Sequence, residues 1–498
     1  MKKFFLLLII SLFTMSCSNK VEIKGKVRNG NPLERVEIIE ASGVATLPLS
    51  NIGLNNKGEF NGEVNIPKNG MYLLTYGGNA TMVYLKSGQT LEISGDQATF
   101  PATFEITGDA KANNDFLKAA DKSFQNYASK LPMEAMIAKA EPEFIKEFTK
   151  IQDDVNKLLD ADAKKLNADA DVLSYKKLDV TAKFYGLLDA YEQSHGVATG
   201  NANYKPTAEF TKLKEKIGKD GDNMIRLIPV YRDYALGKLN GDFQTFAQTK
   251  MMNSKEQLLM AELFGDFLKQ KKGLTDVAKD YFYAYVVAQS DINPNNIAKY
   301  DQITSLIDKN IKDANIKADM KSLQKALMGE KAGSVPSLKV KKADGSSTNL
   351  SDLKGKPTLV MFYASYNPNI ATSTVTVLKE VNAFYKSKLN FAYVNLDDTE
   401  DQFKKTSSAM LKGIPGENLY VNGGINSKEA KDFGLYAFKL PGYILLDKDG
   451  KIVGKNYYNL GDPELIGNLD KLTGLTAPQV QMPAQMPQIP MQPEGEVK

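Results

Sequence analysis

Few residues in this sequence are equipped for catalysis. Nucleophilic, redox and metal chemistry draw on Cys, His and clustered carboxylates, and the 498-residue chain holds one cysteine, Cys17, and one histidine, His195. Disulfide exchange needs an attacking thiolate and a second thiol to resolve the mixed disulfide. One cysteine cannot supply both. His195 lies in Gln193-Ser194-His195-Gly196 without Cys partners, and reads as a loop residue in a polar break rather than a metal ligand. Asp397, Asp398, Glu400 and Asp401 form an acidic run where no second acid or base can be placed by spacing, so they read as solvated loop carboxylates. Met482, Met486 and Met491 offer soft thioethers of the kind copper accepts, but they stand among Pro and Gln with nothing to fix their geometry. No Gly-rich phosphate loop, nucleophile elbow or metal-binding helix motif is present. The expectation is a chain with no metal and no cofactor.

The stretch best able to position a reactive group is residues 355–370, GKPTLVMFYASYNPNI. Leu359, Val360, Met361, Phe362 and Tyr363 form a short apolar run that suits a strand buried on both faces. Ala364-Ser365-Tyr366 ends it. Asn367-Pro368 then reads as a helix cap and a first helical residue, with residues 372–385 as the helix. A helix N-terminus offers free amides and the positive end of the dipole, so Asn367 is a candidate site; it is equally a plain cap.

These residues resemble the active-site loop of the TlpA/ResA-like thioredoxin-fold proteins, where an aromatic-Ala-Ser-aromatic run leads into Cys-x-x-Cys at the helix start. The aligned positions here are Asn367 and Ile370. The wider frame agrees: Gly333, Pro336 and Leu338, then Asp344-Gly345, then Leu350 to Pro357 as LSDLKGKP, and later Leu440-Pro441 and Asp449-Gly450-Lys451-Ile452. The resemblance implies a thioredoxin fold over residues 332–475, with Leu440-Pro441 as the cis-proline that faces the motif loop. In that family the backbone before the cis-proline pairs with an extended peptide, which needs no thiol. A binding groove is therefore expected between Tyr363, Tyr366, Asn367 and Pro368 on one side and Leu440 and Pro441 on the other. The alternative is that the proline only shapes the fold. Thiol-disulfide oxidoreductase activity, which the family implies, has no sulfur at either motif position.

Residues 1–17 read as a targeting segment outside the fold. Lys2-Lys3 and the apolar residues 4–13 are a charged n-region and a short h-region, with Ser16 before Cys17. This resembles a bacterial lipoprotein signal with Cys17 as the acylated residue, although Thr14 stands where Leu is usual; an ordinary secretory signal with an incidental Cys is the other reading. The expected location is the cell envelope, lipid-anchored and facing the periplasm, with the outer membrane favoured over the inner.

Residues 20–110 carry short strand signals with Gly/Asn turns, as expected of an antiparallel β-sandwich. Gly58-x-Phe60, Tyr72, Leu85 to Gln89 and Ile106-Thr107-Gly108 resemble the β-rich domain that often precedes TlpA-like domains. Over residues 111–331 the apolar period becomes helical, as in Phe144, Phe148, Ile151, Val155 and Leu159. The run 281–287, YFYAYVV, is apolar all round and predicts a central helix. Residues 476–498, with Pro478, Pro483, Pro487, Pro490 and Pro493 among Gln and Met, have the composition of a solvated tail.

The expected chain is thus multidomain: β-sandwich, helical region, and an α/β thioredoxin-like domain. Its 63 basic and 59 acidic residues nearly balance, and only Arg28, Arg35, Arg226 and Arg232 are arginine, which excludes a nucleic-acid binder. The function expected is protein or peptide binding, or scaffolding, by a redox-inactive domain in an envelope lipoprotein. Two alternatives stand: thiol-disulfide chemistry with a partner that supplies the thiols, and a purely architectural role.

Overall fold

The structure, a computed structural model, describes residues 19–254, 257–366 and 372–477. Its strands are β1 (Lys20–Arg28), β2 (Arg35–Glu40), β3 (Pro48–Gly53), β4 (Glu59–Asn65), β5 (Gly70–Tyr76), β6 (Asn79–Leu85), β7 (Thr90–Asp96) and β8 (Glu105–Thr107). They form two four-stranded sheets, in the orders β4-β1-β7-β8 and β3-β2-β5-β6. Alternation decides which side chains face inward. Val21 and Ile23 of β1, Ile38 of β2, Tyr72 and Leu74 of β5 and Leu91 of β7 meet in one core, which makes the pair of sheets a sandwich. Pairing is antiparallel except between β1 and β7, which run parallel. That pair comes so close that a Cβ on Gly25 would lie 1.9 Å from the Ile93 carbonyl oxygen, so only glycine fits there.

Twelve helices follow among the described residues: α1 (Lys111–Ala128), α2 (Met133–Ala138), α3 (Glu141–Leu166), α4 (Ala170–Ala198), α5 (Ala208–Ile217), α6 (Gly221–Leu227), α7 (Pro229–Gly237), α8 (Asn240–Met252), α9 (Met260–Gln270), α10 (Asp276–Ser290), α11 (Tyr300–Asn310) and α12 (Ala314–Met328). They build two cores. In the first, the stripe Phe144, Phe148, Ile151, Val155 and Leu159 of α3 packs on α4 and α5, and Met71 and Tyr84 join it from the outer face of the sandwich. Part of the outer face of β5 is therefore buried too, at Met71. The second core surrounds α10, whose Tyr281, Phe282, Tyr283, Ala284 and Val287 are all buried, as the unbroken apolar run predicts. Carboxylates from elsewhere in the fold cap several helix starts. Asp291 accepts from the Met260 and Ala261 amides of α9 at 3.2 and 2.6 Å. Asp280 accepts from the Lys312 and Asp313 amides ahead of α12.

The remaining elements are β9 (Lys339–Lys342), β10 (Ser347–Asn349), β11 (Thr358–Tyr363), α13 (Thr372–Tyr385), β12 (Asn390–Asn395), α14 (Glu400–Met410), β13 (Glu417–Tyr420), α15 (Lys428–Asp432), β14 (Gly442–Leu446), β15 (Ile452–Tyr457) and α16 (Pro463–Thr473). Their seven strands form one mixed sheet, ordered β10-β9-β13-β12-β11-β14-β15. β11 pairs parallel with β12 and antiparallel with β14, and every residue of β11 is buried. This is the thioredoxin-like part of a multidomain β, α and α/β chain.

By its contacts the chain divides into two compact units, 1–329 with Ile425–Ala437, and 330–424 with 438–498. The short segment Ile425–Ala437 thus belongs with the sandwich and helices. Asn426 holds it there. Its side chain accepts from the Asn51 amide at 2.8 Å and donates to the Asn51 carbonyl at 2.6 Å, on the edge strand β3. Lys431 donates to the Leu49 carbonyl of the same edge strand.

Candidate functional site

β11 carries the chain to the site. Beyond it, Ser365 is held by a carboxylate: Asp397 accepts from the Ser365 amide at 2.7 Å and its hydroxyl at 2.8 Å. Asp397 also accepts from Asn395 Nδ2 at 3.0 Å and Thr406 Oγ1 at 2.6 Å. It is 0% exposed. The reading of Asp397 as a solvated loop carboxylate is therefore corrected: it ties the ends of β11 and β12 to α14, and the buried donors of Asn395 and Thr406 would be stranded without it. Glu400 keeps the surface role, paired with Lys404 at 2.9 Å. Gly424 approaches the same corner so closely that a Cβ would lie 2.2 Å from the Asp397 carbonyl, and its φ of +59° is one that glycine tolerates.

Asn367, Pro368 and Ile370 lie outside the described residues, as do Cys17, Met482, Met486 and Met491. The helix expected after the motif spans Thr372–Tyr385. Leu440-Pro441 is a cis peptide. It lines an open groove of about 470 Å³, to which α13 contributes Thr374 and Val377. Phe438 and Lys439 precede the proline on the rim, and Tyr458, Asn459 and Leu460 close the far side. Val377, Phe438 and Tyr458 are 40%, 55% and 39% exposed, so part of the lining is apolar surface open to solvent.

Tyr363 and Tyr366 are not among the residues lining this groove. The expectation that they form its opposing wall is corrected. Tyr363 ends β11 and is 0% exposed, and Tyr366 is buried with its hydroxyl donating to the Leu396 carbonyl at 3.3 Å. Among the described residues, the lining opposite Leu440-Pro441 comes from Thr374, Val377 and the residues after β15.

Sequence reasoning also passed over Lys439 and Tyr458. Lys439 Nζ donates to Tyr458 Oη at 2.8 Å and sits 4.8 Å from that ring's centroid. Burial pulls the Lys439 ammonium down to about 8 and pushes the Tyr458 phenol up to about 12. The signal available in the sequence was adjacency: Phe438-Lys439 directly precedes Leu440-Pro441.

Residues 330–466 match the Redoxin family model. Solved structures similar to this Redoxin domain include the C-terminal domain of a putative thiol-disulfide oxidoreductase from Bacteroides thetaiotaomicron, at 27% identity, covering 28% of this chain and 97% of that one, with a TM-score of 0.24. A thiol:disulfide interchange protein from Bacteroides sp. is similar at 25% identity, over 29% of this chain and 91% of that one, with a TM-score of 0.23. An uncharacterized thioredoxin-like protein from Porphyromonas gingivalis is similar at 24% identity, over 29% and 95%, with a TM-score of 0.24. No curated protein matches the chain.

His195 is not in a loop. It lies inside α4, 8% exposed, with Nδ1 at 2.7 Å from the Ile137 carbonyl and its ring stacked on Tyr191. Among the described residues no group of three or more His, Cys, Asp or Glu is placed to hold a metal, and no helix is long and apolar enough to cross a membrane.

Proposed function

We propose that this chain is a cell-envelope lipoprotein, anchored through lipid on Cys17, whose Redoxin domain binds an extended peptide or protein segment without exchanging disulfides. The observation that carries the reading is the open groove at Leu440-Pro441, rimmed by Val377, Phe438 and Tyr458. An extended chain laid beside residue 440 would pair through its backbone and set alternate side chains against that rim. The sequence supports the absence of disulfide exchange, because its one cysteine, Cys17, is the residue assigned to the lipid and Asn367 and Ile370 stand at the motif positions. Surface near the proline suits binding; disulfide exchange needs thiols.

Two assays test this. Insulin reduction by the purified full-length protein in detergent should not exceed the dithiothreitol background, and a rate above it defeats the binding-only reading. Phe438→Ala and Tyr458→Ala should each weaken capture of unfolded polypeptide, and unchanged capture defeats the groove. The Redoxin match favours a second reading, oxidoreductase work with a partner that supplies the thiols; it predicts insulin reduction only when such a partner is added back from envelope extract. Palmitate labelling that is lost in Cys17→Ser would support the anchor.

A further inference from the structure

The sandwich begins almost at the residue assigned to the lipid. Asn19 is the first residue described, and its carbonyl accepts from the Ile66 amide at 2.8 Å, so the chain is pinned there beside the end of β4. Only Ser18 separates it from Cys17. Two residues of fully extended chain span at most about 7 Å, and the headgroup layer on one side of a bilayer is itself roughly 5 to 7 Å deep. A lipid on Cys17 therefore brings Asn19 to the headgroups, with no spare chain to hold it clear.

We propose that the end of the sandwich around Asn19 is a membrane-contact surface, seated end-on against the phospholipid headgroups of the leaflet that holds the lipid. This rests on the anchor at Cys17 proposed above. The rim is made by Asn19 and Lys20, by Pro67, Lys68 and Asn69, and by Gly88, all exposed. It is braced as one piece: the Gly88 amide donates to the Lys20 carbonyl at 2.8 Å, and the Ser87 amide donates to Asn69 Oδ1 at 2.9 Å, joining loops 66–69 and 86–89. The rim is polar and nearly neutral, since Lys20 pairs with Glu63 at 2.6 Å and Lys68 with Glu40 at 2.9 Å. None of its residues is a large exposed hydrophobic. The tether holds it at the surface, rather than insertion or net charge. Lying flat is the less favourable pose. Helices cover the outer face of β5 and β6 at Met71 and Tyr84, while the outer face of β1 and β4 carries Glu22, Lys24, Lys26 and Glu59, whose hydration a flat pose would disturb. The register of β1 on β4 sets Lys20 opposite Asn65 and Lys26 opposite Glu59, so turn 55–58 stands about 20 Å along the strands from the rim.

The test uses the lipid-bearing full-length protein reconstituted in phosphatidylcholine vesicles, with a thiol-linked fluorophore placed by Pro67→Cys or by Lys57→Cys and quenched by lipids carrying a nitroxide on the headgroup. Quenching at position 67 is expected to be several times that at position 57, and to keep that ratio when phosphatidylglycerol is added. Lys68→Cys replaces Pro67→Cys if the latter loses its native circular dichroism. Equal quenching at both positions, stronger quenching at 57, quenching at neither in protein that floats with the vesicles, or a difference seen only with phosphatidylglycerol would each overturn the end-on contact while leaving the anchor intact. A wild-type chain that takes up the fluorophore at Cys17, or that does not float with the vesicles, would overturn the anchor and this inference with it.

Discussion

Asp397 shows how much one carboxylate can organise. Four donors from Ser365, Asn395 and Thr406 converge on it, and those of Asn395 and Thr406 are buried with it. Asp397→Ala should cost about 3 kcal/mol in urea denaturation, because it leaves buried donors unmatched rather than merely deleting a contact. Hydrogen exchange should quicken first at Ser365. A second carboxyl gives a pH signature. Burial, with Glu40 and Asp313 nearby, pushes Asp319 up to about 6, against the pull of Lys68. Its unfolded value is about 3.9. As pH rises from about 4 to about 6 the unfolded chain releases this proton first, so native stability falls through that window and the full penalty holds above it. Asp319→Asn should therefore stabilise the protein at about pH 7.5 by about 1 kcal/mol after solvent screening, and far less at about pH 4; urea midpoints at the two pH values measure it. Neither residue was legible in sequence. The partners of Asp397 include Ser365, which is 32 positions away, and local acidity alone looks the same whether a carboxylate is solvated or enclosed.

Elements were read more faithfully than side-chain partners. The apolar run of β11 is buried at every residue, and the helix expected at residues 372–385 has those limits, because unbroken apolar runs and helical periods are properties of contiguous residues. The polar stretch around His195 misled for the converse reason. Its composition suggests a break, yet the stacking of Tyr191 on Phe144 and on His195 carries α4 through it. Parallel pairing of β1 with β7 could not be read either, since it joins segments some seventy residues apart. The caps supplied from other elements are testable. Asp291→Ala frees two amides at the start of α9 and should cost about 2 kcal/mol by denaturation. Asn426→Ala removes both bonds to Asn51, and should speed exchange of the Asn51 amide severalfold, which exchange mass spectrometry would detect.

At the scale of the molecule, a Redoxin domain is kept with its sheet order and groove, while the positions that resemble a cysteine pair hold Asn367 and Ile370. If the surrounding frame is still that of an exchange site, Asn367→Cys combined with Ile370→Cys should give insulin reduction above the wild-type background. Either substitution alone should not, because the mixed disulfide would lack its resolving thiol.

The placement of Ile425–Ala437 has a practical consequence. A fragment excised at residue 330 would be whole by family match, yet it would carry this insert severed from the unit to which it belongs. Asn426 would lose its Asn51 partner and Phe433 the Lys325 ammonium that lies over its ring. Ile425, Phe433 and Leu435, all enclosed in the intact chain, would be prone to stick to other copies. Aggregation of such a fragment would report on where the scissors fell.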